Sequence, residues 1–202
     1  MIGYIVGGLA LVGLMRKPQR RPRARQRVGE VIKEDSGVTV SVKPIPGSDL
    51  GELIASGTFE AAPDEVADLL WNTDAYPRWV PRVKDVENVS KSSTLRIDHF
   101  IFAAPTGGDR DIVSEMKRTD KADKVVLQFQ QKEGVGPAPT SGVTRLSKRE
   151  GGWVLTGLPD GTTSAVYRLR ADPGVSMPTR MLQKLAAGGI VDLFSAVRKK
   201  LA

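Results

Sequence analysis

Residues 63–79 read Pro-Asp-Glu-Val-Ala-Asp-Leu-Leu-Trp-Asn-Thr-Asp-Ala-Tyr-Pro-Arg-Trp, and the arrangement of the whole chain turns on them. Pro63 suits a first helical turn, where its missing N–H goes unmissed, and Asp64 and Glu65 beside it face the positive end of the helix dipole. Val66, Leu69 and Leu70 follow at helical spacing, so Pro63 to Trp71 is predicted to form a short amphipathic helix. A second helical or irregular piece is expected over Asp74 to Val80.

On both sides of this stretch the hydrophobic period is two, not 3.6. Short alternating segments broken by Gly, Pro, Asp and Asn predict strands at Val38 to Val42 and Leu53 to Glu60 before the helix. After it come Val83 to Val89, Leu95 to Phe102, Asp111 to Arg118, Val125 to Gln131, Val143 to Arg149, Trp153 to Leu158 and Ser164 to Arg170. Gly134 to Gly142, with two prolines and three glycines, reads as a loop. From Pro178 the period lengthens again: Met181, Leu182, Leu185, Ile190, Val191, Phe194 and Val197 fall near one helical face, with Arg198, Lys199 and Lys200 in the last turn. One early helix, a run of strands and one long closing helix predict an α+β helix-grip fold, a curved antiparallel sheet wrapped around a long C-terminal helix.

The chain has 202 residues, enough for one domain with a sizeable core and a tail. It has no cysteine, which excludes disulfides, thiolate metal sites and a cysteine nucleophile. Its single histidine, His99, excludes metal sites built from several imidazoles. No cofactor or metal is called for. The net charge of +7 belongs to one segment: Arg16, Lys17, Arg20, Arg21, Arg23, Arg25 and Arg27 stand without an acid among them, and the remainder has 23 basic and 23 acidic residues. No aromatic residue lies among these arginines to stack bases, so nucleic acid is not expected as a partner.

Residues 2 to 15 carry no charge. As a helix they would reach about 21 Å, short of a hydrocarbon core of roughly 30 Å. The basic residues follow this apolar stretch, whereas a signal peptide has them in front, and that order favours a retained anchor with its basic flank in the cytoplasm. Arg16, Lys17, Arg20, Arg21 and Arg23 are therefore expected to contact an anionic membrane surface. The chain divides into an apolar anchor (1–15), a basic linker (16–37) and a folded domain (38–202).

Within that domain the Pro63 to Trp71 helix with Asp74, Tyr76, Pro77, Arg78 and Trp79 resembles the first helix of START and related SRPBCC (Bet v 1-like) domains, where a tryptophan follows an aspartate after a short gap. Pro105 with Arg110, Asp111 and Val113 is similar to the START segment in which a proline-led loop precedes an Arg-Asp pair, and Pro178 matches the proline-led last helix. The resemblance covers roughly Val38 to Leu201. It implies a cavity between sheet and C-terminal helix holding a lipid, sterol or polyketide-like molecule, in a family that includes carriers, sensors and a few cyclases.

Candidate positions follow from the two-residue period. His99 shares a face with Leu95, Ile97 and Ile101, and if that face lines the cavity, Ile97 and Ile101 form wall while the imidazole meets the ligand's polar group; the alternative is an imidazole satisfied by a neighbouring backbone group or carboxylate. Met116, Phe129, Trp153 and Tyr167 supply further wall or ordinary core. On the last helix Leu185 faces inward, and Gly188 and Gly189 would let a ligand or the sheet approach closely, or let the helix bend. Arg110 and Asp111 are expected to form an ion pair locking the loop to the sheet, or else to act at the mouth of the cavity. No nucleophile has an adjacent base, and what the resemblance implies is then non-catalytic binding of a hydrophobic ligand, expected here at the cytoplasmic face of a membrane. The alternatives are a cyclase using His99 or Asp98 as proton carrier, and a scaffold of a membrane complex.

Overall fold

The computed structural model describes residues 29–46, 51–103, 108–139, 141–172 and 177–202, and the backbone of 48–50. Strands β1 (Glu30–Asp35), β2 (Val38–Ile45) and β3 (Ser48–Phe59) lead into helix α1 (Pro63–Trp71) and a 3-10 turn (Thr73–Arg78). Strands β4 (Val83–Lys91), β5 (Leu95–Phe102), β6 (Arg110–Lys121), β7 (Lys124–Gln131), β8 (Thr144–Arg145), β9 (Lys148–Gly157) and β10 (Thr163–Asp172) follow, and helix α2 (Thr179–Leu201) closes the chain. The sheet runs β1-β2-β3-β10-β9-β7-β6-β5-β4 with antiparallel neighbours, and the two-residue β8 pairs in parallel with the start of β6. Helix α1 and the 3-10 turn carry the chain from β3 in mid-sheet to the far edge at β4.

α1 forms where its pattern predicts. Glu65 reaches back to accept the Ala62 N–H at 3.1 Å, and Val66, Ala67 and Leu70 are buried. α2 docks through its second half, where Ala187, Ile190, Val191, Phe194 and Val197 are all buried. Phe194 stacks on Phe59 with centroids 5.3 Å apart and meets Trp153 at 5.0 Å. The close approach is permitted by the strand: a Cβ at Gly57 would lie 3.0 Å from the Phe194 ring. Arg198 then fastens the last turn, donating to Thr58 O at 3.2 Å and to Ser36 O.

Two boundaries differ from expectation. The linker assigned to 16–37 ends earlier, because Glu30–Asp35 is strand β1, hydrogen-bonded to β2 from Glu30↔Val42 to Asp35↔Val38. Its charges hid it: as an edge strand with exposed ends it needs no clean alternation. The strands expected at Val143 to Arg149 and Trp153 to Leu158 are instead the short β8 and one continuous strand, β9, running through Gly151 and Gly152. These glycines do not break the strand. Neighbouring backbone crowds them so closely that a Cβ at Gly151 would lie 2.0 Å from Arg168 O, and one at Gly152 2.3 Å from Leu127 O.

Candidate functional site: the chamber between sheet and closing helix

Pairing registers fix which residues face α2. Across β5 to β10 the inner rows include Phe100↔Ile112, Met116↔Phe129, Leu127↔Trp153 and Trp153↔Tyr167. Between this face and the helices lies a cavity of about 60 Å³. Leu70, Tyr76 and Val80 cap it, Leu193 of α2 closes it, and the sheet contributes Val83, Phe100, Phe102, Met116, Leu127, Phe129, Trp153 and Tyr167. The one charged group in the lining is Arg149. Its guanidinium lies 4.3 Å from the Phe129 ring centroid and 5.7 Å from that of Phe102. Burial pushes the Tyr76 and Tyr167 hydroxyls above the ordinary tyrosine range, against the pull of the Arg149 charge.

Among the described residues, the space between the sheet and α2 is far smaller than a lipid. About 60 Å³ holds a few waters, while pockets for drug-sized ligands run from roughly 300 Å³ upward. The enclosed volume is filled by the aromatic cluster of Phe59, Phe129, Trp153, Tyr167 and Phe194, with Trp153 and Tyr167 centroids only 4.6 Å apart.

Met116, Phe129, Trp153 and Tyr167 line this chamber, but His99, Ile97 and Ile101 do not. Register places them on the outer face, since Phe100 and Phe102 of the same strand point inward. His99 Nε2 is 2.9 Å from Asp111 Oδ2, and Asp111 also accepts from Arg145 Nε at 2.9 Å and Nη2 at 2.7 Å. Arg145 further donates to Pro137 O at 3.0 Å, tying the loop after β7 to this outer cluster. Burial favours the neutral carboxyl of Asp111, yet hydrogen bonds from Arg145 and His99 outweigh it and hold Asp111 below its ordinary value.

The expected Arg110–Asp111 pair is likewise replaced. Successive residues of one strand point to opposite faces, so Asp111 pairs outward with Arg145, while Arg110 donates to the carbonyls of Gly108 at 2.9 Å and Asp109 at 3.3 Å. The bridge that joins this loop to the sheet is Lys84–Asp109, at 2.6 Å. Leu185 is 37% exposed and outside the lining. Gly188 and Gly189 lie within an unbroken helix, and a Cβ at either would meet nothing within 4 Å, so tight packing does not account for them. Arg16, Lys17, Arg20, Arg21, Arg23 and Pro105 lie outside the described residues.

A second polar cluster sits on the inner face beneath α1. Arg96, fully buried, donates to Asp98 Oδ2 at 2.5 Å and Oδ1 at 2.8 Å, to Trp71 O at 2.5 Å and to Asp74 Oδ1 at 3.0 Å. Asp98 also accepts from Thr73 Oγ1 and Asn88 Nδ2, each at 2.9 Å. This network pins the helical cap to β5 and occupies Asp98, which is absent from the chamber lining.

The architecture is the helix-grip fold of START domains. The STAR-related lipid transfer protein fragment from Xanthomonas axonopodis superposes with a TM-score of 0.77 at 24% identity, over 85% of this chain and 97% of that one. Human StAR-related lipid transfer protein 5 matches with a TM-score of 0.77 at 18% identity, over 87% of each chain. An aromatase/cyclase from a Streptomyces species matches at 0.56 and 20% identity, over 74% of this chain and 92% of that one. At these identities the likeness establishes the fold. No protein-family model and no curated protein matches the sequence.

Proposed function

We propose that the protein binds a hydrophobic small molecule, of lipid or sterol-like character, between the inner face of the sheet and α2. The observation that carries this reading is an apolar, aromatic-lined chamber closed by a helix whose first half buries no side chain fully. From Thr179 to Ala186 no side chain of α2 is buried, whereas five are buried in its second half. Leu193, in the chamber wall, continues back along the helix through Gly189, Ala186 and Leu182 at spacings of three and four. Because nothing fills the space at Gly189, displacing the first half would extend the existing 60 Å³ along that stripe. Burial of the ligand's apolar area, at about 25 cal/mol per Å², would drive uptake, and transfer between membranes would use the same opening. The likeness to lipid-transfer proteins supports the reading.

We further propose that residues 2–15 and the arginine run hold the domain at the cytoplasmic surface of a membrane, close to its ligand. Among the described residues no helix is long and apolar enough to cross a membrane. The nearly filled interior favours one rival, a non-catalytic scaffold of a membrane complex. Native mass spectrometry and lipid extraction of the purified chain separate the two. The binding reading expects a hydrophobic molecule bound near one per chain, and it falls if the chain carries none and takes up no added amphiphile. A chain starting at Gly29 should leave the membrane fraction; retention there would refute the tether.

A further inference from the structure

We infer that Arg149 receives an oxyanion at the head of the ligand, so that the guest is an anionic amphiphile: a long-chain carboxylate or an alkyl phosphate. The inference rests on the hydrophobic-ligand reading above and adds the charge and direction of the bound molecule.

Arg149 differs from five other sheet arginines in having no acid partner among the described residues. Arg96 is held by Asp98, Arg118 by Asp68 and Asp120, Arg145 by Asp111, Arg168 by Glu52 and Arg170 by Glu150. Among the described residues no carboxylate oxygen pairs with the Arg149 guanidinium within 4 Å; the rings of Phe129 and Phe102 and the hydroxyl of Tyr167 lie beside it instead. Aromatic faces attract a cation but do not neutralise it, and a half-buried charge beside an apolar void is costly until an anion arrives. The guanidinium's planar fork matches a carboxylate or phosphate with two parallel hydrogen bonds.

Position gives direction. Arg149 pairs with Ala171, one residue from the end of β10, and Phe102 beside it is the last residue of β5, so the cation stands at the rim of the sheet. Trp153 and Tyr167 lie deeper on the same face. The preformed space of about 60 Å³ suits a head group and not a chain. An oxyanion at the rim with its tail directed past Trp153 toward Leu193 satisfies both ends of the chamber.

The test is equilibrium dialysis of the full chain against radiolabelled hexadecanoate, hexadecyl phosphate and hexadecanol below their micellar concentrations. The wild type should bind at least one of the two anions about tenfold tighter than hexadecanol, and whichever anion leads identifies the head group as carboxylate or phosphate. Arg149→Met should abolish that preference while hexadecanol binding persists, and Arg149→Lys should keep part of it. The N-terminal arginines also attract anions, but they are unchanged in the variants, so a preference surviving Arg149→Met overturns the inference. Equal affinity for all three ligands overturns it too and leaves the hydrophobic-ligand reading standing. No binding of any of them to a chain with an intact thermal transition sinks that reading as well.

Discussion

Removing the Asp98 carboxylate should cost this protein more stability than almost any other single change, and removing its partner at the same time should cost less. Asp98 is fully buried and accepts four hydrogen bonds, two from Arg96 and one each from Thr73 and Asn88. In Asp98→Ala the guanidinium of Arg96, itself fully buried, keeps only Asp74 and Trp71 O as partners. Breaking a buried pair from one side costs about 3–5 kcal/mol, because the remaining charge stays desolvated. The exposed Lys91–Asp74 bridge at 3.2 Å, by contrast, is worth about 0–1 kcal/mol. In Arg96→Met/Asp98→Val no buried charge is stranded; Thr73 and the Trp71 carbonyl lose partners, a loss of about 1–3 kcal/mol.

Urea unfolding followed by tryptophan fluorescence reads both values. With a slope of about 2 kcal/mol per molar urea for a domain of this size, Asp98→Ala should lower the midpoint by about 2 M and the double variant by about half that. The reasoning fails if Asp98→Ala shifts the midpoint by less than about 0.5 M, or if the double variant loses the sum of the two single losses.

Asp111 is held below its ordinary value in the folded state, so the unfolded chain binds the proton more readily; the stability it contributes is complete above pH about 4 and drains as pH falls through the folded value. The urea midpoint of Asp111→Asn should therefore fall less between pH 5 and pH 3 than that of the wild type, and parallel profiles would contradict this. Gly152→Ala drives a Cβ to 2.3 Å from a backbone oxygen that cannot rotate away, and should lower the thermal midpoint by about 10 °C, from a loss of about 3 kcal/mol. His99→Ala should cost about 1–3 kcal/mol through the lost bond to Asp111 while leaving amphiphile affinity unchanged; a tenfold loss of affinity in a folded variant would put the imidazole back in the chamber.

The elements were legible because most strands bury one face, and α1 and α2 show their apolar stripes. Sidedness was legible only where polar residues stay out. On β5 the odd positions Leu95, Ile97 and Ile101 look like the core face, yet the inner row is Arg96, Asp98, Phe100 and Phe102. Two charged residues occupy that row because α1 and the 3-10 turn arrive from elsewhere in the chain to pair them, and no local pattern announces a tertiary partner. Arg149 was hidden differently. Once Trp153 points inward, the two-residue period sends Gly151 and Arg149 inward too, but a strand broken at the glycines carries no parity across the break.

On the proposed binding role, the packing of α2 sets where a guest would enter. Lifting the second half would expose Phe194, Ile190, Val191 and Val197, each fully buried apolar side chain costing about 1.5–3 kcal/mol, a sum comparable with the stability of a whole domain. Lifting Thr179 to Ala186 exposes no buried side chain, and Leu182 and Ala186 are only half-buried. Gly188 and Gly189 stand at the boundary, each weakening the helix by about 1 kcal/mol relative to alanine, so the helix is easiest to bend where its anchoring changes. On that proposal, a glycine pair that meets no described neighbour within 4 Å is where the helix would bend. The filled aromatic core and the proposed ligand-binding role are reconciled by the unequal burial of the two halves of one helix.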